Sequence, residues 1–299
     1  MTKFGAVGVF GRANAGKSTL VNALVGERVS IVSRRPQTTR KRILGILTND
    51  DCQLVFCDTP GLHDIKNKLD AYMHEEILAT LKGLQAGMYL ADLSDLRPEA
   101  DSEYLKQLKP DKDVPIFLVL NKTDLVESEA VDKAKELYGS FYGFAGTFTL
   151  SAFSAEGKEL QPLLEALRKV VPEGPFAYDP DYYTNQTERE IVEEIIREVA
   201  LQNFRQEVPH SIAVQVEQFK ERETGKTFVE ATIYVEKEGH KKIIVGSSGE
   251  GIKRLGKIAR ERLNENLGRD IFLQLWVKVR ANWRRDEQWV ARLGYRKSR

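Results

Sequence analysis

The residues able to do chemistry begin at Gly11. Gly11, Arg12, Ala13, Asn14, Ala15, Gly16, Lys17, Ser18 and Thr19 contain the pattern glycine, four residues, Gly-Lys-Ser, directly after the apolar run Phe4 to Phe10. A loop of this spacing between a strand and a helix turns several backbone N–H groups toward one point, which the helix N-terminus makes more positive. That point suits phosphate oxygens, with Lys17 reaching the outer phosphates and Ser18 holding Mg²⁺. Further on, Asp58-Thr59-Pro60-Gly61 follows the apolar run Gln53 to Cys57. Asp58 is placed to act on Mg²⁺ through its water shell, and the Gly61 N–H to bond a γ-phosphate that exists only before hydrolysis.

Base selection is read from Asn121-Lys122-Thr123-Asp124, which follows the apolar run Pro115 to Leu120. A carboxylate at Asp124 accepts from both the ring N–H and the exocyclic amine of guanine. Adenine offers neither donor in that arrangement and leaves a desolvated charge unpaired, a cost of several kcal/mol. Asn121 is expected to brace this loop and Lys122 to lie over the base. Ser151-Ala152, after the run ending at Leu150, offers the Ala152 N–H to the guanine carbonyl. Between residues 28 and 42 runs a basic loop with Pro36-Gln37-Thr38-Thr39-Arg40, where one threonine completes the Mg²⁺ shell; Thr39 is favoured over Thr38. The nucleotide implied is GTP or GDP.

These motifs need a scaffold that brings strand ends together. Short apolar runs alternate with helical patterns through residue 172, which predicts a doubly wound, mostly parallel α/β sheet whose ligand crevice lies at the carboxyl ends of the strands. The expected strands are Phe4 to Phe10, Ile43 to Leu47, Gln53 to Cys57, Gly87 to Ala91, Pro115 to Leu120 and Thr147 to Leu150. The expected helices include Lys17 to Val25 and Leu69 to Leu84. Residues 1–172 form one domain, the proline-rich 173–185 a linker, and 186–299 a second, smaller α+β domain. Its order is helix, strand, strand, helix, loop, helix, strand, the loop being Gly246-Ser247-Ser248-Gly249.

Charge separates the two halves. From residue 240 onward there are 16 basic and 6 acidic side chains, +10, which leaves −9 on the first 239 because the total is +1. Such asymmetry points to a nucleic-acid or membrane surface in the basic part. No run reaches the ~18 apolar residues of a membrane span, and the N-terminus leaves no room for a signal peptide, so a cytoplasmic protein is expected. Cys52 and Cys57 are five apart on a strand and face opposite sides, which predicts free buried thiols. Trp276, Trp283 and Trp289 either fill core or stack on bases.

GRANAGKS, QTTR, DTPG, NKTD and SA in this order resemble the Era-type GTPases, and the similarity covers the whole chain because the C-terminal order with its G-x-x-G loop is that of a type II KH domain. The resemblance implies a P-loop GTPase domain coupled to a KH domain that clamps single-stranded RNA. It implies the 3′ end of small-subunit rRNA as target, assistance to small ribosomal subunit maturation, and peripheral association with the inner membrane. Gly246, Ser247, Ser248 and Gly249 would hold the RNA backbone, with Lys253, Arg254 and Lys257 from the following helix. Lys17, Thr39, Gly61 and Asn14 would act in hydrolysis, Asn14 by helping to hold K⁺. Ser18, Thr39 and Asp58 would attend Mg²⁺, and a monomer is expected.

Two departures shape that expectation. Serines occupy both places between the loop glycines, where a basic residue often stands, so more of the phosphate attraction falls to the helix and the salt slope should be shallower. Leu62 stands where Ras-like GTPases keep a water-orienting glutamine, so intrinsic hydrolysis is expected to be slow. Two rival readings use the same residues: a membrane-associated signalling GTPase whose basic region binds anionic lipid, and a small-molecule kinase. Guanine selection by NKTD disfavours the second.

Overall fold

The computed structural model describes residues 1–33, 38–61, 64–108, 111, 113–155, 157–222 and 225–296. They form two compact units, one made of residues 1–32, 39–64 and 73–185, the other of 33–38, 65–72 and 186–299.

The first unit is built on six strands, β1 (Lys3–Gly11), β2 (Ile43–Thr48), β3 (Cys52–Asp58), β4 (Ala86–Asp92), β5 (Ile116–Asn121) and β6 (Gly146–Leu150), in the order β2-β3-β1-β4-β5-β6. All pairings are parallel except β2 against β3. The central strands read as nearly unbroken apolar runs because helices cover both faces. On one face Leu20, Val21 and Leu24 of α1 (Lys17–Val25) and Leu160, Leu163 and Leu167 of α5 (Gly157–Val170) pack on Val7, Val9, Met88 and Val119. On the other, Ile77 of α2 (Lys68–Thr80), Tyr104 and Leu108 of α3 (Pro98–Leu108), and Ala134 and Tyr138 of α4 (Ser128–Gly139) meet Phe10, Tyr89, Leu118 and Leu120. The helix expected to reach Leu84 stops at Thr80, where the turn tightens and the N–H groups of Leu81 and Lys82 bond carbonyls three residues back.

Strand alternation separates the cysteines as expected. Cys52 faces the first of these cores and Cys57 a small cluster with Leu44, Ile46 and Val55, and both are free thiols. Burial pushes the Cys57 thiol up to about 11. The stretch 173–185 follows the sheet closely. Gln53 bonds the backbone of Ala177 and Tyr178, and Ile46 N–H donates to Tyr183 O at 2.9 Å along the free edge of β2.

The second unit has a three-stranded sheet, β7 (Ala213–Glu221), β8 (Thr227–Val235) and β9 (Ile271–Val279), with β7 antiparallel and β9 parallel to the central β8. One face packs α6 (Glu188–Asn203), α7 (Glu238–Val245) and α8 (Glu250–Leu267) through Val192, Ile196, Ile244, Leu255, Ala259 and Leu263. Thr187 caps α6 in a capping box with Glu190. A short helix, α9 (Glu287–Arg292), was not among the expected elements. The tryptophans divide: Trp283 is fully buried, Trp289 half-buried, and Trp276 49% exposed. Among the described residues no helix is long and apolar enough to cross a membrane.

Candidate functional site: a phosphate-loop crevice and a basic groove

Register aligns the carboxyl ends of the first sheet. Val9 lies beside Asp58, Asp92 beside Asn121, and Asn121 beside Leu150, so the loops after β1, β3, β5 and β6 open at one edge. There the structure brings together Gly11 to Thr19, Asp58 to Gly61, Asn121 to Asp124, and Ser151 with Ala152.

The oxygens expected at Mg²⁺ converge. Ser18 Oγ donates to Asp58 Oδ2 at 2.7 Å, lies 2.9 Å from Thr39 Oγ1, and Thr39 Oγ1 in turn donates to Asp58 Oδ2 at 3.3 Å. Asp58 is fully buried, and burial pushes its carboxyl up while the Ser18 hydroxyl and Lys17 oppose this. Its Oδ1 has no hydrogen-bond partner among the described residues. A buried carboxylate oxygen left unpaired among the described residues, beside two hydroxyls, is a donor set that fits a hard divalent cation.

Lys17 is buried and folds back, its Nζ donating to the carbonyls of Gly11 and Arg12 at 2.9 Å each. Desolvation brings its pKa down to about 8, with Asp58 opposing and Arg12 adding. Asn14 is exposed at φ 66, with its side chain bonded to nothing among the described residues. Thr59 Oγ1 donates to Val9 O at 2.7 Å, which pins the Asp58-to-Gly61 turn to β1. Gly61 lies against the phosphate loop so closely that a Cβ there would come within 2.8 Å of Ala13 N and Cα. Leu62, Pro36 and Gln37 lie outside the described residues.

Asn121 joins three loops. It is buried, its Nδ2 donates to Ala15 O at 2.7 Å, and its Oδ1 accepts from Ala152 N at 2.8 Å. The Ala152 N–H, which the sequence reading offered to a guanine carbonyl, is thus taken up by Asn121. Lys122, expected over the base, has its ammonium on Asp92 at the end of β4, which leaves its stem to flank a ring. Asp124 sits in an exposed turn, Thr123–Leu125, and its carboxylate has no partner among the described residues. Ser151 is buried, and its carbonyl accepts from Ser154 and Ala155.

Sequence reasoning missed what holds Arg12. Its Nε donates to Asp101 Oδ1 at 2.8 Å, and Asp101, fully buried on α3, also accepts from the hydroxyls of Tyr89, at 2.5 Å, and Tyr138. Burial first, then Asp101, pushes both tyrosine hydroxyls up.

In the second unit, Gly246 has φ 70 and leaves no room for a side chain, since a Cβ would meet Gly251 N at 2.8 Å. Ser247 and Ser248 are exposed at the tip between α7 and α8. A groove of about 380 Å³ runs between α8 and β9, lined by Ile252, Lys253, Gly256, Lys257 and Arg260 on one side and Leu273, Gln274 and Leu275 on the other. Of the three basic residues expected at the RNA, Lys253 and Lys257 line it, whereas Arg254 does not. Arg260, which follows 253 and 257 on one helical face, lines it too. The β9 wall had no local signal, because a strand's apolar residues look the same whether they face a core or a groove.

Comparison with known proteins agrees with both halves. Residues 6–122 match the family described as 50S ribosome-binding GTPase, and residues 207–284 the KH domain family. GTPase Era of Caldanaerobacter subterraneus subsp. tengcongensis is 44% identical over 292 residues, covering 97% of each chain. GTPase Era of Caldicellulosiruptor saccharolyticus is 45% identical over 298 residues, covering 98% of this chain and 97% of the relative. Among solved structures, a variant of Aquifex aeolicus Era bound to GDP and AlF4⁻ superposes with a TM-score of 0.91 at 32% identity, covering 99% of this chain and all of that one. Era in complex with MgGDPNP and nucleotides 1506–1542 of 16S ribosomal RNA matches with the same score, identity and coverage. Near-complete coverage by such relatives, on a chain that carries both a phosphate-loop crevice and a KH groove, shows that it belongs to the Era family of GTPases.

Proposed function

We propose that the chain is a GTP-hydrolysing switch that binds the 3′ end of small-subunit rRNA as single strand and assists maturation of the small ribosomal subunit. The observation that carries the reading is the convergence of Ser18, Thr39 and Asp58 oxygens within 2.7 to 3.3 Å beside the phosphate loop. Support for the RNA half comes from the α8–β9 groove and from a relative of 32% identity described in complex with MgGDPNP and nucleotides 1506–1542 of 16S rRNA. The division is a GTP domain at 1–172, a linker at 173–185 and a KH domain at 186–299.

In this mechanism the backbone N–H groups of Gly11 to Ser18 cradle the phosphates and Lys17 turns from the Gly11 and Arg12 carbonyls to the outer ones. Mg²⁺ would be held by Ser18 and Thr39, with Asp58 acting through its water shell, and would supply positive charge to the phosphates. Asp124 accepts from guanine, Asn121 keeps the base-side and phosphate loops in one frame, and Lys122 flanks the ring. Water attacks the γ-phosphorus while its bond to the β–γ bridging oxygen breaks, giving GDP and phosphate. Thr39 and Gly61 bind where the γ-phosphate stands, so its loss releases their loops and loosens the hold on RNA. With Leu62 in place of a glutamine, hydrolysis is slow without an activator.

The unengaged side chain of Asn14 fits a role beside K⁺, and equal GTPase rates in K⁺ and Na⁺ buffers would contradict it. The protein is cytoplasmic and monomeric in this reading, with peripheral attachment to anionic membrane testable by vesicle sedimentation. The functional test is hydrolysis of GTP against ATP by the unaltered chain and by Asp124→Asn. GTP is preferred by the former, and the substitution removes that preference because it puts a donor where guanine presents its amine. Equal use of the two nucleotides would overturn the reading.

A further inference from the structure

We infer that the outer face of β9, at Phe272 and Trp276, is a stacking platform for bases of single-stranded RNA leaving the α8–β9 groove. The inference rests on the KH-groove reading and adds a second surface to it.

β9 is the edge strand of its sheet, and successive residues point to opposite faces. Leu273 and Leu275 pack toward the helix side of the sheet, so Phe272 and Trp276, in phase with Gln274 at the groove's rim, stand on the far side of the same strand, about 13 Å apart along it. They are 50% and 49% exposed. A strand of RNA in the groove therefore has only the thickness of one edge strand to round before it meets both rings.

The rings are held in place. Phe272 stacks on Phe228 of β8 with centroids 5.9 Å apart and planes 21° apart, and the Arg222 guanidinium lies 4.6 Å from the Phe228 ring and 5.5 Å from that of Phe272. Trp276 Nε1 donates to Glu230 Oε1 at 2.9 Å, while Glu230 Oε2 accepts from Gln218 at 2.8 Å. Fixing an aromatic ring in advance lowers the ordering cost of stacking on it. The far end of the same face is covered, with Thr232 and Tyr234 buried and Trp289 edge-on to Tyr234 at 5.4 Å. Bare rings are thus confined to the half nearer Phe272.

Charge identifies the occupant. Lys220 pairs across from Phe228, and Lys278 lies beyond Trp276 on the same side, both exposed, with Arg222 between the strands. Of the carboxylates on this face, Glu230 is engaged by two donors and Glu217, at the covered end, accepts from the Tyr234 hydroxyl at 3.3 Å. Aromatic rings beside exposed cations suit bases and phosphates, since stacking tolerates any base and cations follow the backbone. A protein partner would ask for a drier and less basic patch.

The test uses the full chain and fluorescence-labelled oligoribonucleotides, a 4-mer to fill the groove and a 12-mer to extend beyond it. The double substitution Phe272→Ala, Trp276→Ala should weaken the 12-mer by about tenfold for each ring lost and leave the 4-mer unchanged. Tryptophan fluorescence should be quenched by the 12-mer, and Trp276→Phe, which keeps a ring, should remove the quench while largely keeping the affinity. The inference is overturned if the double variant binds both lengths like the parent. It is also overturned if only sedimentation with small subunits is lost, because the face then serves a protein. Failure of the unaltered chain to bind either oligonucleotide would instead contradict the groove reading on which the platform depends.

Discussion

The side-chain amide of Asn121 donates to the carbonyl of Ala15 across 106 residues of sequence, at 2.7 Å in a fully buried position. The same amide oxygen receives the Ala152 N–H, so one residue after β5 ties the phosphate loop to the loop after β6. Asn121→Ala leaves both backbone groups without partners, at about 1–3 kcal/mol for each. We expect thermal unfolding at a clearly lower temperature and GDP binding weakened by at least tenfold. A variant with the parent's stability and affinity would show that the loops hold their places without this brace.

Asp58 and Ser18 make a second prediction, directed at the cation. Asp58→Asn keeps the shape and removes the charge that a divalent ion would satisfy. Nucleotide affinity of the parent should tighten as Mg²⁺ is added, and the response should flatten in the variant. Equal Mg²⁺ dependence in the two proteins would place the ion elsewhere.

The phosphate-loop lysine makes pH a probe. With Lys17 at about 8 when folded against 10.5 ordinarily, the unfolded chain binds more protons between those values. Its contribution to stability therefore rises with pH through that window, by about 3 kcal/mol at the limit. Phosphate favours the charged form, so GDP affinity should fall as pH climbs past 8 and proton uptake should accompany binding. Lys17→Met should show neither effect; a steep fall above pH 8 in that variant would assign the titration to another group.

Asp101 predicts an effect from outside the crevice. It is buried against Arg12, Tyr89 and Tyr138, and removing it takes the acceptor from Arg12 Nε and from two hydroxyls, while Asp95 still holds the other guanidinium nitrogens. Asp101→Ala should cost about 1–3 kcal/mol for each of the two buried tyrosine hydroxyls left without an acceptor. It should also weaken nucleotide binding, because Arg12 belongs to the phosphate loop. Chemical denaturation with and without GDP separates the two losses, and an unchanged denaturation midpoint would remove Asp101 from the framework.

The parts of the molecule that could be read from sequence are those coded locally. Strands β1, β4 and β5 are buried on both faces and announce themselves as apolar runs, and Gly-Lys-Ser with its four-residue lead follows directly from phosphate geometry. The Thr39 hydroxyl lies by Ser18 and Asp58. What could not be read depends on pairs distant in sequence. The Ala152 N–H meets the Asn121 side-chain oxygen, a partner 31 residues away that nothing near Ala152 names. Asp101 looks like an ordinary charge in the first turn of α3 until Arg12 arrives from 89 residues away. Leu273 and Leu275 match any half-buried strand, and it is the facing side of α8, with Gly256 among its residues, that makes their face a groove.

The central claim is that the nucleotide governs the hold on RNA. It is tested most directly by titrating an oligoribonucleotide of the small-subunit rRNA 3′ end into the full chain loaded with a non-hydrolysable GTP analogue and Mg²⁺, then with GDP. The account predicts binding at least tenfold tighter in the GTP-analogue form, within the usual 1–3 kcal/mol of coupling between sites. Equal affinities in the two states, with both nucleotides demonstrably bound, would contradict it.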